Sequence, residues 1–432
     1  MKRSRFSLVI GAAACVALLG TSAVGYKVWR RVQNRFKPVP ISAAAPPLTV
    51  GASPAMPSPI LRDEVPEMTV TEVARGLRIV WSLRWSRDGR LFITERRGRL
   101  SVLEPGASEP VTYANLPTAL GGESGLMGIA LHPQFPEQPY LYAMYTARKL
   151  SGGVNRVSRF VDTGRGLEQE QVLLDEIPAS RNHDGGALEF GPDGMLYIGT
   201  GDAGVEMLAQ DLTSPNGKVL RIAPDGSIPN DNPFPGSPVW AYGFRNVSGL
   251  AFHPATGELW AASHGPSGVA AHEAKHMDSV YIVRKGGDHG FPRHLGVSAD
   301  PAVASPVLFY ADRQVPPGGV AFYDGPGDLR HNFFITSLRG QELHRVVVED
   351  GHRITRIERW WHNRFGRLRA ITAGPDGSLY VGTSNRDLRV DGDYPESDFI
   401  YRLTPAAAQD SRLALPAPPH TAPGTTRPSD RH

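Results

Sequence analysis

A strand–turn–strand pattern recurs along this chain and limits what it can fold into more than any other feature. Phe190-Gly191-Pro192-Asp193-Gly194-Met195-Leu196-Tyr197-Ile198-Gly199 is one copy and Ala373-Gly374-Pro375-Asp376-Gly377-Ser378-Leu379-Tyr380-Val381-Gly382 is another. Trp85-Ser86-Arg87-Asp88-Gly89-Arg90-Leu91-Phe92-Ile93-Thr94 is a third. In the Pro-Asp-Gly copies Pro presets φ and Gly accepts a positive φ, so each apolar run folds back into a hairpin. Looser copies start at Leu131-His132-Pro133, Phe252-His253-Pro254 and Phe322-Tyr323-Asp324. Six units spaced by roughly 45–70 residues predict a six-bladed β-propeller. The 47 Gly and 38 Pro, spread along the chain, fit many short strands with tight turns. A β-sandwich with chance similarity among its turns is the competing all-β fold. The ring is expected to close by pairing a strand near Thr71–Arg78 with one near Phe399–Leu403, which leaves no open edge.

The ends of the chain read differently. Lys2, Arg3 and Arg5 precede an uncharged run from Phe6 to Tyr26. As a helix this run spans roughly 30 Å, about one bilayer core. Residues 1–37 are therefore expected to be a signal sequence or a membrane anchor with basic flanks. Either places the protein in the periplasm or outside the cytoplasm, and an uncleaved anchor would hold it in the inner membrane. Residues 38–68 are rich in Pro and Ala and read as a linker. The catalytic body is expected at 69–404, and 405–432 as a disordered Pro-rich tail. The single cysteine, Cys15, lies in the apolar segment, so the body has neither a disulfide nor a thiol nucleophile. A net charge of +3, with no basic patch interleaved with aromatics, gives no footprint for a nucleic-acid partner.

Polar residues gather where the repeats begin and end. Asn182-His183-Asp184 and Asp202 flank the third unit, and Glu123 precedes the second. Arg245-Asn246 precedes the fourth unit and His264-Gly265-Pro266 follows its first hairpin. Arg339 ends a hairpin of the fifth, and Arg367 and Arg369 open the sixth. Alone, His183 reads as a loop histidine and each arginine as a surface residue. Their equivalent placement describes an anion-binding channel with one candidate general base, because Arg holds planar carboxylates by paired hydrogen bonds.

These residues lie in longer motifs: Thr94-Glu95-Arg96 with Gly98-Arg99-Leu100, Glu123 to Pro133, Asn216 to Phe234, and Tyr242 to Phe252 followed by His264-Gly265-Pro266. With them the chain resembles the soluble pyrroloquinoline quinone (PQQ)-dependent glucose and aldose sugar dehydrogenases, from about Arg78 to Leu403. The resemblance implies oxidation of an aldose at C1 to the lactone, with hydride passing to PQQ. It implies His183 as the base and Asp202 as the carboxylate that orients it. Glu123, Asn182, Arg245, Asn246, Arg339, Arg367 and Arg369 match positions facing PQQ or substrate. The backbone carbonyls of Gly265 and Pro266 match those that hold a Ca²⁺ ion, and hard oxygen ligands suit that ion.

Several positions depart from the family pattern. Met207 stands where a polar residue lines the site of the glucose enzymes, and Ala187 where Arg is frequent. Ser279 follows Asp278 in place of Glu. The stretch from Ser267 to Met277 is longer than the family's loop and carries His272, Glu273 and His276. These departures bear on substrate choice and metal affinity. Two other functions are open: a propeller that has lost PQQ and serves as a binding module, and a Ca²⁺-dependent sugar lactonase. The sugar, the electron acceptor and the oligomeric state are not encoded in any motif.

Overall fold

A computed structural model describes residues 49–50, 61–63, 67–150, 152–266, 277–311, 313–387 and 397–406. The expected N-terminal anchor, most of the linker, the tail beyond 406 and the histidines of the 267–276 loop lie outside the described residues. Among the described residues no helix is long and apolar enough to cross a membrane.

The described body is a ring of six antiparallel sheets. Their innermost strands are Val80–Trp85, Leu126–Leu131, Leu188–Phe190, Val247–Phe252, Pro317–Phe322 and Leu368–Ala373. We number the blades 1 to 6 in that order. Each innermost strand neighbours the next, and the last returns to the first, so the ring is closed. Closure follows the predicted pairing. In blade 6, Asp398–Pro405 pairs antiparallel with Met68–Leu77 from the start of the body, placing Tyr401 opposite Glu72 and Leu403 opposite Val70. The strands that begin and end the body therefore share one sheet, which ties the two ends of the ring together.

The repeat turns have one geometry. In blade 3 the Gly191 amide donates to the Met195 carbonyl at 2.9 Å and the Gly194 amide to Gly191. Blade 6 repeats this with Gly374 to Ser378 at 2.7 Å and Gly377 to Gly374. Gly194 and Gly377 take φ of 75° and 70°, the left-handed conformation the Pro-Asp-Gly turn requires. Strand alternation then sends apolar residues into the seams between blades. Trp260 of blade 4 meets Phe322 and Phe333 of blade 5, each at 5.2 Å between ring centres. Truncating such a buried Trp costs about 3–5 kcal/mol.

The linker is not wholly separate from the ring. Leu61–Asp63 adds a parallel fifth strand to blade 5 beside Arg353–Trp360. Thr49–Val50 pairs with His294–Leu295. Composition concealed both, because strands of two or three residues leave no periodicity.

Candidate active site

Antiparallel pairing puts the start of each innermost strand and the end of its neighbour at one mouth of the channel. The repeat turns lie at the other mouth. Every predicted site residue falls at the first mouth, on the approach to an innermost strand or the exit from the second.

His183 and Asp202 face each other across blade 3. The Nδ1 of His183 lies 2.7 Å from Oδ1 of Asp202, and the Asp202 side chain is fully buried. The Gly204 amide also donates to that oxygen, at 2.8 Å. A carboxylate can only accept, so Nδ1 carries the hydrogen and Nε2 presents its lone pair. The backbone around the imidazole is tightly held. His183 has φ of 65° and its amide donates to Oε2 of Glu123 at 2.9 Å. A Cβ on Gly201 would stand 1.9 Å from the His183 carbonyl oxygen, so only glycine admits this approach. Asp184 anchors the same loop from behind, accepting from the Ser180 amide, Asn155 and Ser124. Burial pushes its carboxyl up to about 7 against those donors.

Blades 3 and 4 interlock through the Arg245-Asn246 approach. Oδ1 of Asn246 accepts the Gly185 amide at 2.9 Å, and the Asp202 amide donates to the Arg245 carbonyl at 2.8 Å. Nη1 of Arg245 donates to the Gly265 carbonyl at 2.7 Å. Asp278 holds the same segment, accepting from the amides of Gly265 and Val315, each at 2.9 Å. Ser279 is buried and bonds the Met277 carbonyl at 2.7 Å. His264 donates from Nε2 to the Pro317 carbonyl at 2.8 Å, which fixes its tautomer. Burial holds it neutral, down to about 4, while Glu123, Arg245 and His183 all act on it electrostatically.

Arg367 and Arg369 stand at the entrance to blade 6, each 5% exposed. Arg367 and Arg96 share Asp387, at 3.2 and 2.6 Å. Arg369 lies over the Trp81 ring, 5.1 Å from its centre. Its buried Nε has no hydrogen-bond partner among the described residues. Burial pulls this guanidinium down to about 10, and the nearby Arg367 and Arg96 act in the same direction. Glu123 acts on both Arg369 and His264, which ties the arginine cluster and the histidine pair into one mouth.

Two predicted residues stay outside this cluster. Arg339 follows Phe333–Ser337 at the correct mouth but is exposed, and Asn182 is exposed beside His183. Neither side chain makes a hydrogen bond among the described residues. Met207 is half-buried on the short turn Glu206–Ala209, and Ala187 is buried. Sequence reasoning missed Arg96, Asp387, Asp278 and Trp81 as parts of the site. Arg96 and Asp387 follow second strands of their blades, the same positional signal that singled out Asp202. Trp81 carries no such signal.

The cluster fits a small polyanion, since a buried, partly unmatched guanidinium is stabilised by an anion beside it. Gly265 also fits a hard cation. Arg245 uses one lone pair of its carbonyl and leaves the second open. Among the described residues no three His, Cys, Asp or Glu side chains gather as a metal site.

The family model for glucose/sorbosone dehydrogenases matches residues 77–391. An aldose sugar dehydrogenase of Escherichia coli is 28% identical over 330 residues, covering 70% of this chain and 86% of that protein. An oxidoreductase of Thermus thermophilus, assigned as a glucose dehydrogenase, has a solved structure 42% identical to this chain. It aligns with a TM-score of 0.71, over 78% of this chain and 99% of its own. The PQQ-bound aldose sugar dehydrogenase of Streptomyces coelicolor is 31% identical, with a TM-score of 0.69 over 78% of this chain and 98% of its own.

Proposed function

The chain belongs to the glucose/sorbosone dehydrogenase family, and from that premise we propose that it oxidises an aldose at C1 to the lactone, using PQQ and Ca²⁺. The observation that carries this reading is the His183–Asp202 pair at 2.7 Å, opening on the same mouth as the buried arginines. In oxidation at C1, a proton leaves the hydroxyl, two electrons leave with the C1 hydrogen, and a C=O bond forms. Nε2 of His183 accepts the hydroxyl proton. Asp202, bonded at Nδ1, fixes the tautomer and stabilises the imidazolium that results. Arg245, Arg367 and Arg369 would hold the cofactor's carboxylates, and Asn246 locks the loop behind His183. Glu123 holds the His183 amide and faces both charge clusters. When bound, PQQ supplies the two-electron acceptor and a Ca²⁺ ion at the Gly265 and Pro266 carbonyls supplies Lewis acidity.

Residues 1–37 support export with the propeller outside the cytoplasm, because the uncharged run follows basic residues. An electron acceptor on that side of the membrane would complete the cycle.

The test is a titration of purified apo-protein with PQQ and Ca²⁺, followed by dye reduction with a panel of aldoses. Saturable, PQQ-dependent reduction by one or more aldoses is expected. Absence of PQQ binding with the fold intact would move the protein to the binding-module reading.

A further inference from the structure

The opposite mouth, where the repeat turns lie, holds a separate cavity of about 210 Å³ between blades 1, 2 and 3. Between the two mouths, beside Gly128, Gly249 and Gly319, lies a small space of about 30 Å³. The cavity is built from the repeat turns, including Leu131-His132-Pro133, which the proposed reaction does not use.

Its polar groups come from three blades and have capacity to spare. Arg84 of blade 1 bonds Oε2 of Glu189 at 2.7 Å and the Leu188 carbonyl at 2.9 Å, both in blade 3. This pair fixes one wall and leaves Oε1 of Glu189 without a hydrogen bond among the described residues. His132 accepts the Gln134 amide at Nδ1, at 3.2 Å, so Nε2 carries a hydrogen. Burial, with Arg159 nearby, lowers the His132 pKa and favours the neutral ring. No group among the described residues accepts its Nε2–H. Arg87 is exposed and also lacks a partner among them. Trp85 and Phe190 supply aromatic wall, with the His132 and Phe190 rings edge-on at 5.9 Å.

We propose that this cavity binds a small hydroxylated monocarboxylate of monosaccharide size. Among the lining residues Arg84 pairs with Glu189 and His132 is neutral, so Arg87 carries the unpaired positive charge, with Arg159 near His132 adding to the positive field that favours one carboxylate. Glu189 Oε1 accepts a hydroxyl, His132 Nε2 donates to another oxygen, and the aromatic wall takes the C–H face of the chain. A volume below the ~300–1,000 Å³ of drug-sized sites restricts the ligand to about six carbons. An aldonate, which forms when an aldonolactone takes up water, belongs to this class. The site is defined by the cavity alone and does not depend on the cofactor reading.

The test uses the full chain in detergent, free of cofactor, titrated calorimetrically with D-gluconate as probe. Glucose and acetate serve as controls that lack the carboxylate or the hydroxyls. Saturable 1:1 gluconate binding is expected, with both controls at least about tenfold weaker and exposed Arg87→Ala weakening gluconate by up to about fivefold. Arg369→Ala, at the other mouth, should leave the affinity unchanged. Thermal unfolding of each variant checks the fold, which exposed Arg87 does not support. The proposal is overturned if gluconate shows no saturable binding in the millimolar range. It is equally overturned if Arg369→Ala abolishes binding while Arg87→Ala does not, because gluconate then occupies the arginine-lined mouth.

Discussion

At the turn end of blade 3, Asp193 commits both carboxylate oxygens to its own blade. Oδ1 accepts the Met195 amide at 3.1 Å, and Oδ2 accepts the Tyr197 hydroxyl and Arg221 at 3.0 and 2.9 Å. Asp376 repeats the arrangement in blade 6 with Ser378, Tyr380 and Arg402. At the other end of blade 3, Asp202 holds His183 and Gly204 with one oxygen and leaves the other buried without a partner among the described residues. Arg369 is likewise buried with an unmatched Nε. Buried polar groups that lack partners lower stability by about 1–3 kcal/mol each. The turn-end carboxylates of blades 3 and 6 are thus fully matched within their own blades, whereas Asp202 and Arg369 at the other mouth each keep a buried atom unmatched among the described residues.

The sharpest way to break this contrast is at His183. His183→Asn keeps a hydrogen-bonding tip but removes the proton acceptor. The turnover number should fall about 10²–10⁴-fold, while cofactor affinity and the unfolding temperature stay near the parent's. Single-turnover reduction of the quinone by an aldose, in variant saturated with PQQ and Ca²⁺, measures this. Reduction at the parent rate would sink the assignment of the base.

Arg369→Ala should do the reverse. A charged hydrogen bond is worth roughly 1.5–3 kcal/mol, so PQQ affinity should fall by about one to two decades. Removing a buried cation with an unmatched atom should leave the apo-protein as stable as the parent, or more stable. A fluorescence titration and a melting curve read the two effects separately. Lower apo stability with unchanged affinity would mean that Arg369 serves the fold.

Asp193→Ala tests the turn end. It removes the bond to the Met195 amide and three further hydrogen bonds, from Tyr197 and Arg221, although Arg221 keeps Asp231 at 2.8 Å. A loss of about 1–2 kcal/mol in stability is expected, with turnover and PQQ affinity unchanged. Denaturant unfolding and steady-state kinetics measure the pair. A fall in turnover at constant stability would show that the turn end communicates with the site.

The contrast also explains what could be read from the residues alone. Turns repeat because each Asp-Gly pair closes on its own hairpin, so Asp88, Asp193 and Asp376 show their geometry locally. Closure of blade 6 was legible because both partner strands flank the repeats. His183 and Asp202 were legible as residues flanking one hairpin. The rest of the site depends on contacts between blades. Arg369 gains its character from Trp81, which lies 288 positions earlier in the chain, and Arg96 meets Asp387 across 291. Gly201 matters because of a carbonyl that arrives from another turn. No local pattern encodes such meetings, and the short Leu61–Asp63 strand is defined only by the blade it joins.

Arg339 is where the arginine cluster is least uniform, and it carries the smallest predicted effect. It shares the mouth with Arg367 and Arg369 but is exposed and makes no ion pair among the described residues, whereas they are buried. Water screens an exposed charge, and exposed ion pairs contribute about 0–1 kcal/mol. Arg339→Ala should therefore weaken PQQ binding by no more than about fivefold, against one to two decades for Arg369→Ala. Raising the salt concentration should shrink the Arg339 effect further, since screening acts first on exposed charge, and should alter the Arg369 effect little. Parallel titrations of the two variants at low and high salt test both statements. If Arg339→Ala costs as much as Arg369→Ala and resists salt, the 338–341 turn closes over the bound anion and buries that guanidinium. The exposed position would then belong to the free protein alone, and the unmatched charge at this end would extend to blade 5.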